Sequence, residues 1–90
     1  MGSRPRYERD RVVFEVRAVG RRIAGKRVEH SWTQAELAQH ATVSQSLVAQ
    51  VELGRRHGMT LKAFLKMCEA LDVSPEWVIY GDTGRPRRQN

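Results

Sequence analysis

Thr33-Gln34-Ala35-Glu36-Leu37-Ala38-Gln39-His40-Ala41-Thr42-Val43-Ser44-Gln45-Ser46-Leu47-Val48-Ala49-Gln50-Val51-Glu52-Leu53-Gly54 is the stretch on which the fold turns. Thr33 and Glu36 fit a capping box, in which the Thr hydroxyl accepts the backbone N–H three residues on and the Glu carboxylate reaches back to the cap. A helix therefore begins here and runs to about His40 or Ala41. Ser44 offers a second cap, opening another helix that passes through Leu53 and stops at Gly54. Two short helices joined by a turn of three or four residues are the result.

Further along the chain, Thr60 caps a fourth helix, whose Leu61, Leu65, Cys68 and Leu71, flanked by Phe64, read as its apolar stripe. Ser74-Pro75-Glu76 opens a fifth, with a cap, a proline at the first helical position and an acid in the first turn. Gly81 and Gly84 close it. On the N-terminal side, Val12, Val16, Val19 and Ile23 recur at three- and four-residue spacing, with Arg17, Arg21, Arg22 and Lys26 between and beyond them. That is the pattern of an amphipathic first helix ending near Arg27 or Val28. Arg11 to Val16 reads as its beginning, while the β-branched residues there leave a short strand as the alternative. The expected organisation is a flexible arm over residues 1–10, one domain over 11–82 and a basic tail over 83–90.

Ninety residues allow one modest core and exclude a multidomain enzyme. No apolar run approaches the length of a membrane span, and Met1-Gly2-Ser3 lacks the apolar core of a signal peptide, so nothing directs export. The single cysteine, Cys68, cannot form an internal disulfide, which fits a reducing, cytoplasmic setting. Sixteen Lys plus Arg against ten Asp plus Glu give a net charge of +6, which favours polyanionic partners, nucleic acid first and anionic membrane second. The membrane reading would require the apolar stripe of the first helix to be free of the core.

Five helices in under 80 residues, the second and third joined by a tight turn, form the layout of a helix-turn-helix domain. The run Thr33 to Gln39, followed by Val43-Ser44-Gln45-Ser46 and Val51-Glu52-Leu53-Gly54, resembles the Cro/CI-type (XRE-like) helix-turn-helix domain of lambdoid phage repressors. Ala70-Leu71-Asp72-Val73-Ser74-Pro75-Glu76-Trp77 is similar to that family's entry into its fifth helix. The resemblance spans about Val16 to Gly81 and implies an all-α, five-helix fold. It further implies a bacterial or phage-encoded regulator that binds double-stranded DNA, more readily a repressor than an activator, acting as a homodimer on an inverted repeat. Blocking a promoter needs only occupancy, whereas no activating surface can be identified. The alternative from another class is a protein-interaction module or antitoxin that uses the same fold.

The resemblance also assigns roles. Ala38 lies where the two helices of the motif come closest, and Leu37, Val48 and Val51 set their crossing. Arg27 and Glu52 match a partly buried ion pair. Gln34, Gln45, Ser46 and Gln50 match the base-reading positions, and a Gln amide can pair with adenine N6 and N7 in the major groove. Trp77, Ile79 and Tyr80, together with the arm, are the candidates for the dimer surface. The sequence departs from the family where Thr42 replaces the usual turn glycine, which implies strain or a different turn. Leu47 is apolar where relatives are polar, and either touches a thymine methyl or packs on a neighbouring helix. The loop from Arg55 to Met59 is longer than usual and lacks the usual proline.

Charge distribution supplies a separate argument. The third helix carries Glu52 as its one charge, so attraction to phosphate must come from its flanks. Arg4 to Glu29 holds nine basic and four acidic residues, Arg55 to Lys66 holds four basic and no acidic ones, and Glu69 to Asp82 holds four acidic and no basic ones. The expected phosphate ligands are Arg22, Lys26, Arg55 and Arg56, with the acidic segment facing away from DNA. His30, His40, His57 and Cys68 are the imidazole and thiol groups available for a metal, and none forms an i, i+4 pair on a predicted helix. No phosphate loop, nucleophile elbow or facing carboxylate pair is present, so neither enzyme activity nor a metal or other cofactor is expected.

Overall fold

The computed structural model describes residues 11–13 and 15–82. Its elements are β1 (Arg11–Val13), α1 (Val16–Glu29), α2 (Gln34–Ala41), α3 (Gln45–Glu52), β2 (Gly58–Thr60), α4 (Leu61–Leu71) and α5 (Pro75–Tyr80). The described chain is thus five helices with little strand. The arm over 1–10 and the tail over 83–90 lie outside the described residues.

Each helix begins where a side chain can take up a free N–H. Thr33, Ser44, Thr60 and Ser74 accept from Glu36, Leu47, Ala63 and Trp77 at 2.9–3.1 Å. In α2 the box is complete, since the Thr33 N–H donates to Glu36 Oε1 at 2.8 Å. The start of α1 corrects the helical reading of Arg11 to Val16. Residues 11–13 form a strand that pairs antiparallel with β2, Arg11 opposite Thr60 and Val13 opposite Gly58. Glu15 caps α1 instead, accepting from Ala18 N at 2.7 Å. Consecutive β-branched residues favour extended backbone wherever a partner strand is available, and the unusual loop after α3 supplies that partner. Through β2 the same loop sets Met59 into the core.

The core is one cluster drawn from every helix: Val19 and Ile23 of α1, Leu37, Ala38 and Ala41 of α2, Val48 and Val51 of α3, Phe64, Met67, Cys68 and Leu71 of α4, and Val78 of α5. Burying each large apolar side chain contributes roughly 1.5–3 kcal/mol. On α4 the buried stripe runs through Phe64, Met67, Cys68 and Leu71, whereas Leu61 and Leu65 are 46% and 43% exposed. The expected stripe was therefore rotated toward the wrong edge. Its two leucines lie about 60–100° around the helix from Phe64, beyond the arc that the other helices cover. Gly20 decides how closely α1 approaches α3, because a Cβ at this position would collide with the Val51 carbonyl oxygen.

Candidate DNA interface

The turn between α2 and α3 is a left-handed helix stop. Thr42 has φ 58° and ψ 47°, its N–H bonds to the Gln39 carbonyl at 3.2 Å, and the Val43 N–H bonds to the Ala38 carbonyl at 3.0 Å. The family-like turn is thus kept despite the missing glycine, and Thr42 holds a conformation costly for a β-branched residue. From this turn Ser44 starts α3, with Val48 and Val51 buried and Gln45 and Ser46 exposed at its leading end. Gln50, one turn further on, is half-buried. Leu47 is half-buried against the core, which answers its two readings in favour of packing.

Behind α3 lies a polar clasp. Arg27 donates from Nε to Glu52 Oε2 at 2.7 Å and from Nη2 to Oε1 at 3.0 Å, while its Nη1 donates to the Trp32 carbonyl at 2.7 Å. The side chains are only 17% and 6% exposed. Hydrogen bonding to Glu52 raises the guanidinium above its ordinary value, burial works against this, and the carboxylate charge adds to it. Gln34 Nε2 also donates to Glu52 Oε1, at 2.9 Å. A residue expected to face bases is therefore tied by one amide hydrogen to the clasp, and the first turn of α2 and the last turn of α3 are locked together.

The basic residues divide between two faces. Arg22 donates from Nη1 to the Val78 and Ile79 carbonyls at 2.8 and 3.1 Å, closing the end of α5. Lys26 pairs with Glu29 at 3.2 Å and lies 5.1 Å above the Trp77 ring. Neither is brought to the side of α1 that meets α3. Their spacing places both on the row of α1 that packs toward α5. Arg55, by contrast, lies three residues past the end of α3, after Leu53 and Gly54. Its N–H donates to the Gln50 carbonyl at 2.9 Å, and its side chain is exposed. Arg56 is half-buried, and its Nε is enclosed with no hydrogen-bond partner among the described residues.

At the opposite end, Trp77 Nε1 donates to Asp82 Oδ1 at 2.9 Å, Ile79 packs partly against the core, and Tyr80 is 41% exposed. Of the three candidate dimer residues, Tyr80 is the one left largely open. Sequence reasoning did not anticipate a stack of three rings. Trp32 lies between His30, with centroids 4.4 Å apart, and His40, 4.1 Å apart, at interplanar angles of 18° and 12°. His30 Nε2 also donates to the Leu71 carbonyl at 2.9 Å, so the stack pins the α1–α2 connection to α2 and α4. No helical period relates these positions, because His30 and Trp32 lie in a connection rather than on a helix. Among the described residues no three His, Cys, Asp or Glu side chains group to hold a metal ion, and no helix is long and apolar enough to cross a membrane.

With this geometry in place, the class follows: residues 23–78 match the helix-turn-helix family, and the chain belongs to it, as a member of Cro/CI type. Membership places it among DNA-binding transcription regulators. No curated protein sequence matches it significantly. Among solved structures it is similar to the restriction-modification controller protein C.AhdI from Aeromonas hydrophila, at 30% identity and a TM-score of 0.66, covering 71% of this chain and 96% of that one. It is similar to the P22 c2 repressor in complex with a synthetic operator, at 27% identity and 0.68, covering 73% and 98%. A third such structure is the SinR N-terminal DNA-binding domain from Bacillus subtilis, at 28% and 0.64, covering 67% and 87%.

Proposed function

We propose that the protein binds an inverted-repeat operator in double-stranded DNA as a homodimer and represses transcription by occupancy. The observation that carries this reading is the leading end of α3: Gln45 and Ser46 stand exposed on a helix whose far end is locked to α1 and α2 through Glu52. Short amide and hydroxyl side chains on a rigid support suit base edges in the major groove, with Gln50 completing the set one turn on. Arg55 and Arg56 hold phosphate beyond the other end of the helix, and neither forms an ion pair among the described residues. Gln34 contributes at the mouth of the groove through the part of its amide that Glu52 leaves open.

One such helix reads only a few base pairs, so specificity calls for two copies, with half-site centres about 34 Å apart. Tyr80, with Trp77 and Ile79 beside it, supplies the surface between copies, and the acidic surroundings of α5 keep that surface away from phosphate. P22 c2, a relative of the same fold, is a repressor solved in complex with a synthetic operator. Selection of bound sites from random duplexes tests the proposal: an enriched palindromic motif is expected, with two chains per duplex at saturation. The absence of enrichment at any salt concentration defeats it, and one chain per duplex on a single half-site defeats the dimer.

A further inference from the structure

We infer that Arg17, in the first turn of α1 and outside the helix-turn-helix itself, is a third member of the phosphate-holding group with Arg55 and Arg56. The inference rests on the DNA-binding reading above and names where the backbone is gripped. Its first support is placement. A methyl group on Gly54 would lie 3.5 Å from Arg17 Cγ and 3.8 Å from both Arg17 Cα and the Val16 carbonyl oxygen. The first turn of α1 thus lies beside Gly54, two residues past the end of α3, at a spacing that a single methyl group would bridge. Gly54 has φ +73°, a left-handed turn, and Arg55 and Arg56 come directly after it. Three guanidinium side chains therefore leave one small patch of backbone at the end of α3.

The helix period separates Arg17 from the other basic residues of α1. Counting about 100° per residue, Arg17, Gly20 and Arg27 fall on the side that meets α3, and Arg22 and Lys26 fall across the helix from it. The contacts agree at each position: Gly20 abuts the Val51 carbonyl, Arg27 holds Glu52, Arg22 closes α5 and Lys26 covers Trp77.

The second support is the state of the charges. Arg17 is exposed and has no hydrogen bond or ion pair among the described residues. Arg56 Nε is enclosed and unpartnered among them. The carboxylates closest in the chain are committed elsewhere, Glu15 to the α1 cap and Glu52 to Arg27 and Gln34. A guanidinium group with no carboxylate to pair with suits a phosphate oxygen, and three of them beside the recognition helix suit consecutive phosphates of one strand.

The test uses the full chain and a labelled 20-base-pair duplex of random sequence, with affinity followed against salt. Arg17→Gln should flatten the slope of log affinity on log salt by about 0.9, the share of one phosphate contact, and Arg17→Lys should restore it. Lys26→Gln, which removes the same charge from the α5 side, should leave the slope unchanged. Phenylglyoxal modification of the wild-type protein, read by peptide mass, gives a second measure that needs no variant to fold: DNA should protect Arg17 together with Arg55 and Arg56. If Arg17→Gln keeps the wild-type slope while Arg55→Gln flattens it, or if DNA protects Arg55 and Arg56 but not Arg17, Arg17 is outside the grip and the DNA-binding reading stands. If the wild type binds no duplex at low salt, the underlying reading fails and takes this one with it.

Discussion

The α2–α3 turn and the α4–α5 turn closely match in sequence and backbone, yet the helices they lead into present different chemistry. Thr42-Val43-Ser44 and Asp72-Val73-Ser74 occupy equivalent places. Thr42 has φ 58° and ψ 47°, and Asp72 has φ 58° and ψ 48°. Val43 N–H bonds to the Ala38 carbonyl at 3.0 Å and Val73 N–H to the Cys68 carbonyl at 3.0 Å, while Val48 and Val78 anchor the two following helices in the core. What differs is the face that each second helix presents. After Ser44 come Gln45 and Ser46, uncharged and able both to donate and to accept; after Ser74 come Pro75 and Glu76, one unable to donate and the other negative. The turn is a packing device that serves any pair of short helices. The chemistry of the next two residues is what distinguishes them, and the proposed reading of α3 rests on it.

The largest effect expected from this contrast is on DNA affinity. Gln45→Glu gives α3 the charge sign that α5 carries, and like charge against phosphate costs several kcal/mol, so specific binding should fall by about 100-fold or more. An acid in the first turn of a helix is stabilising, so thermal melting should show the fold intact. Glu76→Gln should not weaken DNA binding at all. An equal loss for both variants in fluorescence anisotropy would mean that the two turns do not differ in function.

Next in size is the clasp that ties the end of α3 to α1 and α2. Arg27→Met leaves Glu52 buried without its cation and should cost about 3 kcal/mol in urea unfolding, most of it recovered when Glu52→Leu is added. A loss under about 1 kcal/mol, the value of an exposed pair, would show that the clasp is not a buried ion pair in solution.

Smaller again is the strain difference between the two stops. Threonine is branched at Cβ and adopts left-handed backbone at a cost, whereas aspartate tolerates it. Thr42→Gly should therefore stabilise the fold by about 0.5–1 kcal/mol, and Asp72→Gly should be near neutral. A larger gain at Asp72 than at Thr42 in denaturant melts would reverse the assignment of strain.

An effect confined to alkaline pH separates Ala38 from its counterpart Cys68. Burial pushes the Cys68 thiol up to about 11 from its usual 9, so the group stays protonated in the fold and ionises more readily once unfolded. Its contribution to stability is present below pH 9 and is lost as pH rises from about 9 toward 11, a decline that Cys68→Ala should lack. At pH 8 iodoacetamide should label Cys68 slowly in the folded chain and quickly in urea.

Much of this architecture is local and could be read along the chain. A cap is completed within three residues and a helix stop within five, so Thr33, Ser44, Thr60 and Ser74 declared four helices without reference to anything distant. The resemblance carried Arg27 and Glu52 as a pair, and the period of α3 set Gln45 and Ser46 opposite Val48. What failed was whatever depends on which element packs alongside. Val12 and Val13 suit a helix or a strand equally well until Met59 arrives opposite, nearly fifty residues later. Leu65 and Met67 are comparably apolar, and only the neighbouring helices decide which of the two is covered. Arg17, Arg22 and Lys26 are alike as letters in a basic helix. A long cation takes the partner that the adjacent helix offers, and for Arg22 that partner is a pair of carbonyls 56 and 57 residues away. The sequence by itself determined the helices and the exposed polar residues at the start of α3, because those depend on bonds made within one turn and on the helical period. Which of the basic residues are left for a partner was decided only when the helices packed.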